Sequence, residues 1–146
     1  MADIITRARR SALMAKVRGR GNASTEGALA AILRAEGWSG WRRQQVVRGK
    51  GAKATPFRVR PDFVFRPRRL VVFVDGCFWH GCPRHGTQPQ GNAAFWRAKF
   101  RRNRERDRRD TRNLRREGWT VVRLWEHALR AKARPALLSK LGRLFD

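Results

Sequence analysis

The fold of this chain is decided by residues 57–75, which read FRVRPDFVFRPRRLVVFVD. Two apolar runs, 57–65 and 70–74, are separated by the basic segment Arg66-Pro67-Arg68-Arg69. This length and composition are typical of two neighbouring strands in a hairpin. We therefore expect these two strands to form the centre of a sheet.

Helical patterns flank this hairpin on both sides. Residues 25–36 predict a first helix, with Asn22 or Ser24 as its N-cap and Gly37 as its stop. Residues 92–117 predict a long helix that Gly118 ends, because its less basic residues recur at the spacing of one helical face.

The remaining segments complete the expected order of elements. Residues 120–125 are β-branched and predict a strand, a further strand is expected over residues 41–47, and residues 48–56 resemble a polar loop. The tail from Ala128 is expected to be a helix interrupted near Pro135. Together these elements predict an α/β fold with a mixed central sheet flanked by helices.

Length and charge limit the class of protein. The chain has 146 residues, with 35 Lys and Arg against 11 Asp and Glu, a net charge of +24. We expect one domain over residues 22–146, preceded by a basic and mobile arm over residues 1–21. Such an excess of positive charge indicates a nucleic-acid partner. The longest apolar run, Leu70–Val74, is too short to span a membrane, and residues 1–10 lack a secretory signal, so we expect a cytoplasmic protein.

Both cysteines and two of the three histidines fall into a pattern that suits a metal ion. Cys77, Cys82 and His85 lie within nine residues, and His127 follows the last predicted strand. Two thiolates and two imidazoles fit a tetrahedral zinc ion, and four protein ligands make the site structural. The alternative is two free thiols beside two surface histidines.

Two aspartates predict a second metal site of a different kind. Asp62 lies in an apolar strand and Asp75 ends the next one. Burying both carboxylates close together is unfavourable unless a divalent cation neutralises them, and oxygen ligands suit Mg²⁺. Such an ion can activate a water for hydrolysis of a phosphodiester. The alternative is that Asp75 caps the following loop and Asp62 pairs with an arginine.

Further side chains are candidates for catalysis and for DNA contact. His80 is not needed for zinc and can carry a proton five residues after Asp75, while Glu26 can hold a metal-bound water or simply complement the first helix dipole. Aromatic residues in basic surroundings can stack on bases, which costs least at a mismatch and so favours a mismatch as target. The alternative for these residues is packing in the core. The candidates are Phe78, Trp79, Phe95 and Trp96, with Met14 of the arm as a weaker candidate. The arginines of residues 97–116 are expected to contact phosphates.

These motifs resemble those of the very short patch repair (Vsr) DNA mismatch endonuclease family. The resemblance covers residues from about 9 to 130 and is carried by Arg60-Pro61-Asp62-Phe63, VFVDGCFWHGCP over residues 72–83, Phe95-Trp96, Asn103, Glu105-Arg106-Asp107 and Trp125-Glu126-His127. It implies a restriction-endonuclease-like core of the PD-(D/E)xK type, a structural zinc and Mg²⁺-dependent nicking. The implied target is double-stranded DNA with a T:G mismatch from deaminated 5-methylcytosine, cut 5′ to the thymine.

The resemblance also implies roles for single residues. Asp62 matches the metal-binding aspartate, His80 the catalytic histidine and Glu26 the acidic residue of the first helix. Some members of the family have Thr-His where this chain has Val74-Asp75, so that Val74 offers Mg²⁺ only its carbonyl while Asp75 adds a carboxylate. Residues that match the DNA-contacting positions are Phe78, Trp79, Trp96, Asn103 and Arg106.

The sequence leaves three functional hypotheses. The first is a nucleoid-associated bacterial mismatch endonuclease that acts as a monomer, with accessory repair proteins as further partners. The second is a nuclease of the same fold with another target, such as a restriction-like or mobile-element nuclease. The third is a zinc-stabilised nucleic-acid-binding protein without catalysis, in which Asp62 and Asp75 have no chemical task.

Overall fold

A computed structural model of the chain describes residues 23–77 and 91–145. The described helices are α1 (Ala28–Ala35), α2 (Ala93–Arg116) and α3 (Arg134–Phe145). The described strands are β1 (Arg42–Arg43), β2 (Val47–Lys50), β3 (Pro56–Val59), β4 (Phe63–Phe65), β5 (Leu70–Asp75) and β6 (Thr120–Trp125). A π-helical turn, Ala23–Gly27, leads into α1, and short 3-10 turns lie at Ala52–Ala54, Arg66–Arg68, Glu126–Leu129 and Ala131–Ala133.

The main sheet has four strands in the order β1-β4-β5-β6. Strand β4 is antiparallel to both β1 and β5, which confirms the predicted central hairpin. Strand β6 is parallel to β5, with Leu70 opposite Thr120 and Asp75 opposite Trp125. A parallel pair needs a long crossover, and α2 lies within that connection. The predicted mixed sheet with flanking helices is thus confirmed.

Buried side chains cover both faces of this sheet. On one face, Leu29 and Leu33 of α1 and Leu137 of α3 pack with Phe63 and Val72. On the other face, a second cluster contains Leu114 of α2 with alternate residues of β4, β5 and β6, namely Val64, Val71, Phe73 and Val121. Because β5 is covered on both sides, its six residues are all buried, as the continuous apolar run in the sequence implies.

The predicted helices and the last strand are confirmed with small shifts at their ends. Helix α1 ends at Ala35 and Gly37 follows with a φ of 71°, the left-handed conformation expected of a glycine stop. In α2, the predicted inner face holds the buried residues Trp96, Phe100 and Leu114. Among the described residues, no helix is long and apolar enough to cross a bilayer.

The prediction for residues 41–56 was wrong. The expected strand 41–47 is divided, because Gln44 has a φ of 58° and ends β1. Strand β2 then starts at Val47 and pairs with β3 in a separate two-stranded sheet. The stretch 48–56, expected to be a polar loop, therefore contains most of a second hairpin.

Two further boundaries differ from the sequence prediction. The run 57–65 is not one strand, because the segment Arg60-Pro61-Asp62 separates β3 from β4. Pro61 has no N–H for a sheet hydrogen bond, which favours this interruption. Pro135 does not interrupt the C-terminal helix but lies in the first turn of α3, where a proline fits without losing a helical hydrogen bond.

Candidate active site

Asp62 lies where strands β4 and β5 separate. The last paired residues at this end of the hairpin are Phe63 and Val72, so the backbone N–H of Val74 is free of a β4 partner. That N–H donates a hydrogen bond of 2.7 Å to Asp62 Oδ2. The Asp62 side chain thus accepts the hydrogen bond that a backbone carbonyl of β4 would otherwise accept. This bond holds one carboxylate oxygen against β5.

Gln44 joins the carboxylates of Asp62 and Glu26. Its Nε2 donates to Glu26 Oε2 at 2.7 Å and to Asp62 Oδ1 at 3.2 Å, while its backbone N–H donates to the Asp62 carbonyl. Glu26 lies in the turn before α1, is only 2% exposed, and forms an ion pair of 2.7 Å with Arg43 Nε. The left-handed backbone at Gln44 thus turns its amide into the space between two acidic side chains.

Burial raises the pKa of Asp62 from 3.8 to about 6. The negative charges of Glu26 and Asp75 contribute to this rise, whereas the hydrogen bonds from Val74 and Gln44 oppose it. Burial is the largest of these causes, because it removes water from the charged carboxylate. A carboxylate in this position is therefore electrostatically unfavourable until a cation approaches it.

Asp75 lies at the end of β5 and pairs with Arg123 of β6. Arg123 Nη1 is 2.8 Å from Asp75 Oδ1, and Asp75 is 8% exposed. The same guanidinium lies over the Phe73 ring at 4.0 Å and donates to Thr111 Oγ1 of α2 at 3.0 Å. The alternative considered above assigned an arginine partner to Asp62, whereas the structure places an arginine beside Asp75.

The oxygen atoms around Asp62 suit a hard cation. Carboxylate oxygens of Asp62 and the carbonyl of Val74 are donors of the type that Mg²⁺ takes in proteins, and Mg²⁺ keeps several waters besides. Gln44 Oε1 is a buried acceptor to which nothing in the described part of the chain donates a hydrogen bond. Within residues 23–77 and 91–145, no group of three or more His, Cys, Asp or Glu side chains forms a ready metal cage.

Two of the four predicted zinc ligands lie together. Cys77 Sγ is 3.4 Å from His127 Nδ1, and the backbone N–H of Cys77 donates to Glu126 Oε1 at 3.3 Å. The parallel pairing of β5 with β6 explains this, because both residues lie two positions after the opposed pair of Asp75 and Trp125. Cys82 and His85 lie outside the described residues, so the zinc site stays a prediction.

Other predicted site residues also lie outside the described ranges. These are Met14, Phe78, Trp79 and His80.

The predicted DNA-contacting residues of α2 differ in exposure. Trp96 is 8% exposed and packs against Phe100, whereas its neighbour Phe95 is 53% exposed. Phe95 is therefore better placed than Trp96 to meet a base without a rearrangement of the helix. Asn103 is half-buried, and Arg106 is exposed with its Nη2 at 3.9 Å from Asp107 Oδ1.

Sequence reasoning missed Gln44, Arg43 and Arg123. For Arg123 a signal was present, since it is the one charged residue in the apolar run 121–125. A charge inside a buried strand requires a partner of opposite sign. Gln44 and Arg43 lie in a polar segment, where their residue types carry no such signal.

Comparison of the sequence with known proteins identifies its family. The family model of DNA mismatch endonuclease Vsr matches residues 2–85, more than half of the chain. The DNA mismatch endonuclease Vsr of Escherichia coli (strain K12) is 36% identical over 133 residues, which are 90% of this chain and 78% of that protein.

Two relatives are named as nicking enzymes. Type II nicking enzyme V.XorIIP of Xanthomonas oryzae pv. oryzae is 37% identical over 128 residues, which are 86% of this chain and 85% of that enzyme. Type II nicking enzyme V.NaeI of Lentzea aerocolonigenes is 48% identical over 87 residues, 60% of this chain and about half (52%) of the length of that enzyme. The chain belongs to the family of the DNA mismatch endonuclease Vsr, a family of DNA endonucleases, as its motifs predicted.

Proposed function

We propose that this chain nicks one strand of double-stranded DNA 5′ to the thymine of a T:G mismatch, with Mg²⁺ as its catalytic ion. The observation that carries this proposal is the arrangement of Glu26, Gln44 and Asp62 at the point where β4 and β5 separate. This arrangement holds the desolvated Asp62 carboxylate, whose pKa is raised, in a fixed position at the end of the two central strands. The names of the relatives, a mismatch endonuclease and nicking enzymes, support the reaction and the target.

Within this proposal Asp62 and the carbonyl of Val74 hold the ion. The hydrogen bonds from Val74 and Gln44 orient the Asp62 carboxylate before any ligand arrives. Such preorganisation removes the reorganisation that would otherwise add to the barrier. When bound, Mg²⁺ polarises the phosphodiester and lowers the pKa of the attacking water.

Other acidic and basic side chains divide the remaining tasks. Glu26, which Arg43 and Gln44 hold in place, would orient a water beside Asp62. Asp75 is the third acidic residue of the site, and Arg123 balances its charge. We assign proton transfer to His80, since an imidazole can both accept and donate a proton near neutral pH.

We assign a structural zinc ion to Cys77, Cys82, His85 and His127. The short separation of Cys77 Sγ and His127 Nδ1 supports this assignment. Such an ion attaches the segment after β5 to the end of β6. Because that segment contains His80, zinc also positions the proton carrier relative to Asp62.

The DNA lies along α2 in this proposal. Residues 97–116 carry ten arginines on one helix, and most of them are exposed. They supply affinity through phosphates and no base specificity. Exposed Phe95 and the aromatic residues Phe78 and Trp79 meet the bases, which are easiest to unstack at a mismatch.

The test is a nicking assay on four duplexes of one sequence. They carry T:G, G:T in the opposite strand, matched T:A and matched C:G, each incubated with Mg²⁺ and again with EDTA. We expect a single nick 5′ to the mispaired thymine, only with Mg²⁺. Equal cleavage of matched and mismatched duplexes would instead support the restriction-like alternative suggested by the nicking-enzyme relatives.

Variants separate catalysis from binding. Asp62→Asn should abolish nicking while the duplex is still bound, because the ion loses its principal ligand. Glu36→Gln is the control, since Glu36 is an exposed carboxylate at the C-terminal end of α1. Binding without nicking by the wild-type chain under all metal conditions would favour the non-catalytic alternative.

A further inference from the structure

The hairpin of β2 and β3 has one apolar and one cationic face. On the inner face, Val47 and Val59 are buried in the cluster beneath α2. On the outer face, Arg48, Lys50 and Arg58 are exposed. Successive side chains of a strand point to opposite faces, so the three basic side chains lie together on one face of the hairpin.

Two like charges lie directly opposite each other on this face. Arg48 pairs with Arg58 across the two strands. Like charges in this position destabilise a hairpin. Within residues 23–77 and 91–145, neither guanidinium has an acidic partner. Lys50 and Lys53 extend the same charge to the tip of the hairpin, and residues 37–61 contain no Asp or Glu.

The hairpin is docked closely on the end of α2. A Cβ added to Gly51 would lie 2.5 Å from Asn113 Oδ1, and one added to Gly49 would lie 2.7 Å from Glu117 Cγ. Glu117 Oε1 also accepts a hydrogen bond of 2.9 Å from the backbone N–H of Lys50. A side chain at either glycine would displace Asn113 or Glu117, so Gly49 and Gly51 allow the hairpin to lie close against the end of the basic helix.

The hairpin starts at the candidate active site. Val47 follows Gln44 by three residues, and Val59 precedes Asp62 by three. Four paired residues at about 3.4 Å each place the tip on the order of 13 Å beyond the base of the hairpin. Duplex DNA presents a phosphate about every 3.4 Å along each strand. A cationic face of this length, laid along one strand of a duplex, spans about four phosphates.

We propose that the outer face of the β2–β3 hairpin, formed by Arg48, Lys50 and Arg58 and extended by Lys53 in the turn, binds the phosphate backbone of duplex DNA flanking the cleavage site. This rests on the proposed function, because the flanking duplex belongs to the same substrate. The free protein accepts the repulsion between Arg48 and Arg58, and phosphates relieve it on binding. The hairpin is a second DNA-binding element beside α2.

The test compares the salt dependence of DNA binding for two triple variants. Arg48→Gln/Lys50→Gln/Arg58→Gln neutralises the hairpin. Lys132→Gln/Lys140→Gln/Arg143→Gln removes the same charge from exposed positions at and before α3. Affinity for one mismatched 24-base-pair duplex is measured in EDTA from low to high salt. Each lost phosphate contact should reduce the slope of log affinity against log salt by about 0.9.

We expect the hairpin variant to lose about two to three units of slope and the α3 variant less than one. Trimming the duplex by six base pairs on the hairpin side should weaken the wild type and leave the hairpin variant nearly unchanged. An unchanged slope in the hairpin variant would overturn this inference while leaving the proposed function intact. A wild-type chain that binds no duplex at low salt would overturn both.

Urea unfolding tests whether the hairpin variant binds DNA differently because its fold is destabilised. Because the Arg48 and Arg58 charges repel, the hairpin variant should be at least as stable as the wild type. A variant that is less stable than the wild type would contradict the argument that these charges serve a partner and not the fold.

Discussion

Gln44 Nε2 donates a hydrogen bond to Asp62 Oδ1 across 3.2 Å, and the same nitrogen is 2.7 Å from Glu26 Oε2. One neutral amide thus stands between two carboxylates that would otherwise repel each other. It can do so only because the backbone at Gln44 is left-handed and ends β1 there. The geometry of the site is therefore set by a residue that carries no charge.

Replacing Gln44 with Met should slow nicking and change its pH dependence. Met has nearly the same volume as Gln but no N–H, so the hydrogen bond that lowers the pKa of Asp62 is lost. The pKa of Asp62 should rise from about 6, and the acidic limb of the rate profile should move to higher pH. Single-turnover nicking between pH 5 and pH 9, roughly the range in which this group titrates, measures the shift.

Gln45→Met is the matched control for this variant. Gln45 accepts a hydrogen bond from Arg66 on the exposed surface and does not contact the carboxylates. Its profile should coincide with that of the wild type. A Gln44→Met profile that is lower at every pH but not displaced would show that the amide affects the rate without acting on Asp62.

Replacing Asp62 with Asn should stabilise the fold more at pH 8 than at pH 5. Burial raises the pKa of Asp62 from 3.8 to about 6, so between these values the folded state binds more protons than the unfolded state. The contribution of this group to stability therefore falls as the pH rises through that window. At about 1.4 kcal/mol per pKa unit, the full effect is roughly 2–3 kcal/mol, and the part that falls between pH 5 and pH 8 is about 1.4 kcal/mol.

Urea unfolding of both proteins at the two pH values measures this difference. The change in hydrogen bonding caused by Asn is the same at both pH values and cancels in the comparison. A gain in stability that is equal at pH 5 and pH 8 would contradict the raised pKa, since the stability should still change between pH 5 and about pH 6.

Removing Arg123 should destabilise the fold through Asp75. Arg123→Met deletes the 2.8 Å ion pair with Asp75 and the bond to Thr111, yet retains much of the contact with Phe73. Loss of one partner of a buried pair costs about 3–5 kcal/mol, and the partial exposure of this pair places the expected loss near the lower end.

A double-mutant cycle with Asp75→Asn identifies the cause. In the Asp75→Asn background, Arg123→Met should cost at least about 1 kcal/mol less, because no carboxylate is left without its cation. Additive effects in urea unfolding would mean that Arg123 contributes only through its packing on Phe73 and α2.

The central part of the fold was predictable because its signals are local and strong. The short continuous apolar run of β5 indicates a strand that is buried on both faces, and the helical spacing of the less basic residues in α2 indicates a helix with one buried face. The strand boundaries at Gln44 and at Arg60-Pro61-Asp62 were not predictable in this way. There, contacts between distant residues such as Glu26, Gln44 and Val74 outweigh the local preference for an extended chain.

The same distinction applies to the site. Asp62 and Asp75 were identifiable because a carboxylate in an apolar strand needs a partner, whichever partner that is. Which partner each one has depends on register: Arg123 lies opposite Phe73 on the parallel strand and so reaches Asp75. Register between β5 and β6 is fixed by packing across the whole sheet, and no motif in either strand specifies it.

The zinc assignment predicts that a chelator and a cysteine substitution act on the same structure. Cys77 is buried and its Sγ is 3.4 Å from His127 Nδ1, so Cys77→Ser should release the ion and lower the melting temperature. Cys82→Ser should do the same, since a structural zinc site depends on all four ligands. Metal content by mass spectrometry should fall from one zinc per chain to near zero in both variants. A strong chelator should then lower the melting temperature of the wild type and leave both variants unaffected. If the chelator destabilises all three proteins equally, or if zinc remains at one per chain after either substitution, the thiolates do not hold the ion, and the proximity of Cys77 to His127 has another cause.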